Sequence, residues 1–92
     1  MGNIVIQFSI EKMSQVQYDL IISGLEAAGL GTIPGRIFHV AAPDGDGWHV
    51  TDVWESEEAF KKFAETMVPI MISTGVEPAD PFVLPVHNII VP

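Results

Sequence analysis

The run Trp48-His49-Val50-Thr51-Asp52-Val53-Trp54-Glu55-Ser56-Glu57-Glu58-Ala59-Phe60 constrains the fold more than any other part of the sequence. Its first half alternates with a period of two, and residues two apart in a strand share a face. Trp48, Val50, Asp52 and Trp54 therefore stand on one side, which sets a carboxylate among two indoles and a valine. The period then changes within one residue. Ser56 stands where a helix N-cap belongs, its hydroxyl accepting a backbone N–H that the new helix leaves unpaired, and Glu57 and Glu58 sit in the positive first turn. A strand running directly into a capped helix is thus fixed at mid-chain.

The other elements fall into place around it. Asn3 to Ile10 has apolar even positions and mostly polar odd ones, which reads as a first strand buried on one side. Ser14 and Gln17 form a capping box, with Met13 and Tyr18 as a hydrophobic staple. The helix so opened carries Tyr18, Ile21, Ile22, Leu25 and Ala28 at three- and four-residue steps, widened by Val16 and Leu20, until Gly29 offers a left-handed cap. The glycine-rich stretch from Gly29 to Gly35 follows a helix and lacks the Lys-Ser/Thr ending of a phosphate-binding loop, so it reads as a turn back to the sheet. Arg36 to Ala42 is a second strand, and Pro43 to Gly47 a tight turn. The second helix is expected from Glu57 to about Thr74, with Phe60, Phe63, Ala64, Met67 and Met71 along its apolar stripe and a kink or reset at Pro69. Phe82 to Val91 is a fourth strand, in which Pro85 argues for a sheet edge.

The order βαββαβ predicts an α+β, ferredoxin-like domain spanning residues 1–92, with a four-stranded antiparallel sheet. Right-handed crossovers put both helices on the same face of it. Strands two and four, however, are apolar on both faces, and two helices cover only one. A chain of 92 residues that is 48% hydrophobic carries more apolar surface than one small core hides. A second copy of the sheet is the economical cover, so a homodimer closing into an α/β barrel is expected.

Composition narrows the partners. With 12 acidic and 4 basic residues the net charge is −8, which repels phosphate backbones and anionic lipid heads, so neither nucleic acid nor a membrane is an expected partner. No cysteine is present, which removes disulfides, thiolate nucleophiles and zinc-thiolate sites. No leader or membrane-span pattern is found, and a cytoplasmic, unprocessed protein is expected.

The polar residues on the predicted strands are His39, Asp52 and His87, with His49, Tyr18 and Asn88 as outer candidates. Two readings stand. In one, imidazoles oriented by Asp52 act as general base or bind a metal beside a small pocket between sheet and helices, since a carboxylate fixes the imidazole tautomer and suits either role. In the other, each His is satisfied by a backbone carbonyl or by the dimer mate, and Asp52 caps or pairs with Arg36 across the hairpin. Trp54 is a stacking wall for an aromatic ligand or a core residue. The candidate catalytic set is His39, Asp52 and His87, and the candidate ligand pocket is Tyr18, Trp54, Phe60 and Asn88. No cofactor or metal is assigned.

The run from Asp52 to Phe60 ahead of a helix resembles the dimeric α/β-barrel superfamily and, within it, the small antibiotic-biosynthesis-monooxygenase-like proteins. The resemblance extends over nearly the whole chain in strand order and length, and it implies a small hydrophobic or aromatic ligand. In the cofactor-free quinone-forming oxygenases of that superfamily, an Asn four residues before the third-strand Trp, that Trp, and a Tyr six residues after it line the pocket. Here these positions hold Val50, Trp54 and Phe60, and the place of a pocket Arg falls near Thr74. The haem-degrading relatives use a His on the second helix, and Ser56 to Thr74 contains none. The resemblance therefore leaves open a binding dimer without catalysis, or a cofactor-independent oxygenase or related small enzyme acting on an aromatic or polyketide-like molecule through His39, Asp52 and His87.

Overall fold

A computed structural model describes residues 2–92. The elements are β1 (Ile4–Ile10), α1 (Gln15–Ala27), β2 (Arg36–Asp44), β3 (Gly47–Trp54), α2 (Glu57–Ser73) and β4 (Phe82–Pro85). The strands form one antiparallel sheet in the order β2-β3-β1-β4. This is the predicted ferredoxin-like βαββαβ arrangement, with β4 at an edge as Pro85 requires.

Local chemistry accounts for the element ends. Ser14 caps α1 with a full capping box, its hydroxyl accepting from the Gln17 amide while the Gln17 side chain accepts from the Ser14 amide. Ser56 caps α2 by accepting from the Ala59 amide. Pro69 lies within α2 without ending it, and the helix continues to Ser73 with Thr74 as C-cap. The β2–β3 hairpin closes through Gly45 and Asp46, with Gly45 at φ 59°, the positive value a two-residue II′ hairpin needs at its first central position. Gly47 answers a different need, because a Cβ there would lie 1.8 Å from the Ile10 carbonyl oxygen.

The fourth strand is shorter than the predicted Phe82–Val91. Its register pairs Ile4 with Pro85, and the last bond runs from the Val86 amide to the Asn3 carbonyl. His87 to Val91 extend past the start of β1, so no neighbouring strand receives their hydrogen bonds.

The core lies between the sheet and the helices. Ile6 and Ile10 of β1, Trp54 of β3, Ile21 and Leu25 of α1, and Phe60, Phe63 and Met71 of α2 form a single buried cluster. Trp54 is fully buried, and its area alone is worth about 4–6 kcal/mol as an upper bound. The other sheet face is uncovered. Phe38, Val53, Val5 and Leu84 form one row across all four strands, followed by Val40, Thr51, Gln7 and Phe82. Phe38, Val40, Phe82 and Leu84 on that face are 54%, 49%, 60% and 45% exposed.

Candidate functional site

The alternation of β3 turns Asp52 toward the helices, where it is 2% exposed, the one buried charged residue among those described. An unpaired carboxylate there would cost several kcal/mol, but both oxygens have partners. Oδ1 lies 2.5 Å from His39 Nδ1, and Oδ2 accepts from the Trp54 indole N–H at 3.3 Å. The first contact follows from register, since β2 and β3 pair His39 directly opposite Asp52. The second follows from parity, Trp54 being the next residue on the same face.

The chain of hydrogen bonds continues. His39 Nε2 is 2.9 Å from the Tyr18 hydroxyl on α1. A carboxylate only accepts, so Nδ1 carries the hydrogen, and in that tautomer Nε2 accepts from the Tyr18 O–H. Tyr18 also stacks on Trp48, ring centroids 4.6 Å apart and planes within 1°, while its own ring and that of His39 lie 9° from parallel. Burial raises the Tyr18 pKa above its ordinary value, a shift opposed by the positive charge of Arg36 and reinforced by Asp52 and Asp19. Tyr18 therefore carries its proton at neutral pH and is a donor there.

Tyr18, Arg36, His39 and Asp52 line a narrow cavity of about 40 Å³, walled otherwise by Phe8, Ile10, Met13, Ile21, Ile22, Leu25, Val50, Phe63, Met67 and Met71. That is room for two or three waters. A second apolar cavity of about 130 Å³, lined by Phe60, Ala64, Val68 and the Pro78–Pro81 connection, shares Phe8, Met67 and Met71 with the first. The wall between the two spaces is thus one phenylalanine and two methionines, the side chains best able to rearrange.

Of the sequence candidates, Tyr18, His39 and Asp52 come together. Trp54 is buried against Phe60 (5.6 Å, edge-on) and Phe63, and shows the site only its N–H. Phe60 lines the second cavity. His87 and Asn88 are exposed beyond β4 and line neither space. His49 is on the opposite sheet face, half-buried and bonded to the Ser9 hydroxyl. Among the described residues no three His, Asp or Glu side chains gather as a metal set.

Two site residues were not among the catalytic or pocket candidates. Trp48 shares the Asp52 face by parity, but its contact with Tyr18 depends on how α1 crosses the sheet. Arg36 lines the same cavity as His39 although the two are three apart in sequence. A bulge explains this: β2 pairs Arg36 with Trp54 and Phe38 with Val53, leaving Ile37 extra. Parity is reset there, so Arg36 and His39 share the helix-facing side.

Comparison with known proteins follows the fold. No protein-family model matches the chain, and no curated protein matches it. Solved structures do. A protein of Chloroflexus aurantiacus assigned to the antibiotic biosynthesis monooxygenases is 20% identical, with 95% of each chain covered and a TM-score of 0.64. A monooxygenase of Streptomyces coelicolor, solved with the ligand nanaomycin D, is 15% identical over 99% of this chain and 92% of its own, also at 0.64. A dimeric ferredoxin-like protein from an uncultured marine organism is 13% identical over 100% and 94%, at 0.62. The fold is that of the antibiotic-biosynthesis-monooxygenase-like proteins. Among the described residues no helix is long and apolar enough to cross a membrane.

Proposed function

We propose that the protein is a small-molecule-binding homodimer whose pocket beside Asp52 performs acid–base chemistry, in the manner of a cofactor-independent oxygenase, on an aromatic or polyketide-like molecule. The observation that carries this reading is the relay Asp52–His39–Tyr18 ending in an apolar cavity. A carboxylate, an imidazole of fixed tautomer and a hydroxyl in hydrogen-bond contact are the parts of a base that charges only as it works. The ligand's acidic O–H or C–H gives its proton to the Tyr18 oxygen while the Tyr18 proton passes to His39 Nε2. The imidazolium so formed faces Asp52. An enolate or carbanion left behind is electron-rich enough to react with dioxygen. One activated methylene and one O2 then give one carbonyl and one water, the electrons coming from the substrate carbon.

The shared wall of Phe8, Met67 and Met71 supports a pocket that enlarges by methionine movement, because 40 Å³ is too small for a fused-ring molecule. The exposed side chains of Phe38, Val40, Phe82 and Leu84 support face-to-face pairing of two sheets, as the strand composition predicts. The S. coelicolor neighbour, a monooxygenase with a ligand bound, fits the same reading. His87 and Asn88 have no part in this relay.

The test is oxygen uptake with anthrone, whose methylene is flanked by aromatic rings and enolises. The expected result is a rate above autoxidation that falls about 100-fold or more, to background, in His39→Ala and Tyr18→Phe. Anthrone that binds without added uptake would leave a non-catalytic binding dimer. That second reading draws on the finding that, among the described residues, every buried side-chain polar atom already has a hydrogen-bond partner within the protein.

A further inference from the structure

Arg36 is a cation without an ion-pair partner among the described residues. The chain holds 12 acidic residues and 4 basic ones, yet among the described residues no carboxylate comes within 4.0 Å of the guanidinium. Lys61, by contrast, meets Glu57 at 3.3 Å. The Arg36 side chain makes no hydrogen bond among the described residues either, and its guanidinium carbon instead lies 5.9 Å from the centroid of the Phe63 ring. It is half-buried and belongs to the wall of the cavity that Tyr18, His39 and Asp52 line. Five N–H donors in a fixed fork, always charged, are thus held at an apolar space with no hydrogen-bond acceptor supplied by the described residues.

We infer that Arg36 is the anion-recognising side chain of this pocket, which takes an aromatic ligand bearing an ionised oxygen, a phenolate, enolate or carboxylate, held at the guanidinium. This rests on the pocket reading above and adds the charge of the ligand to it. The charge bookkeeping is consistent. Once the relay takes a proton, His39 and Asp52 form a neutral pair, and the negative charge left on the ligand faces Arg36. The Phe63 ring, whose centroid lies 5.9 Å from the guanidinium carbon, is a cation–π neighbour that takes up none of the N–H donors a planar oxyanion would use.

The experiment is calorimetric titration of the intact protein with two probes of one ring system, 2-naphthoate and the neutral 2-naphthalenemethanol. Wild type is expected to bind naphthoate about tenfold or more tightly than the alcohol. Arg36→Gln removes the preference, and Arg36→Lys, which keeps the charge but not the fork, restores part of it. Met71→Trp, filling the cavity, weakens both probes. Equal affinities in wild type, or a preference that survives Arg36→Gln, would overturn the role of Arg36; Met71→Trp still blocking both probes would then leave the pocket reading standing. Neither probe binding wild type, or Met71→Trp binding both as wild type does, overturns pocket and inference together.

Discussion

Tyr18 is the only tyrosine in the chain, so its ionisation is read directly from phenolate absorbance. Because burial raises its pKa, the folded protein should titrate above 10.0, and Arg36→Gln, which removes an opposing positive charge, should move the midpoint higher still. Stability follows with a definite sign. The folded state holds the phenolic proton more tightly than the unfolded chain does, so the contribution is complete below 10.0 and is lost as pH rises through the folded value. Urea unfolding of wild type should weaken above about pH 10 for this reason, and Tyr18→Phe should lose that alkaline component. At this scale the sequence reveals the position of Asp52, because parity alone places it between indoles. It does not reveal which group meets Asp52. His39, Arg36 and His87 were all open to it by composition, and only register and the Ile37 bulge separate them.

Elements were legible where their causes are local. The capping box at Ser14 and Gln17 and the cap at Ser56 depend on residues three apart, and both helices begin where those residues predict. The fourth strand was overextended because His87 to Val91 have strand-like composition but no neighbour, and a neighbour is a property of the sheet. Gly47 belongs to the same class of non-local facts. Its missing side chain lets the β2–β3 hairpin approach the end of β1, where the Met13 amide bonds the Asp46 carbonyl at 3.2 Å. Gly47→Ala forces that backbone apart, and denaturant unfolding should show a loss of about 1–3 kcal/mol. Gly45→Ala meets no atom within 4 Å and is strained only by its φ of 59°, so a larger loss there than at Gly47 would refute the packing argument.

For the whole molecule, the apolar row Phe38, Val53, Val5 and Leu84 is what the sequence foresaw as a surface in need of cover, since strands apolar on both faces cannot be satisfied by two helices. We expect twice the chain mass of 10.0 kDa in light scattering at micromolar concentration. Val40→Lys, placing a charge at the centre of that face, should shift it toward the single-chain mass while leaving the helical circular dichroism intact. A monomer in wild type would remove the face-to-face pairing. The bulge at Ile37 has a consequence of another kind. Because a strand presents its residues alternately to two sides, one inserted residue acts on a sheet as a frameshift acts on a coding sequence. Composition is preserved and the reading of what lies upstream is inverted. In this chain a single isoleucine decides whether the permanent positive charge of Arg36 is read by the interior or by the opposite surface, so the length of β2 specifies the pocket as much as the arginine itself does.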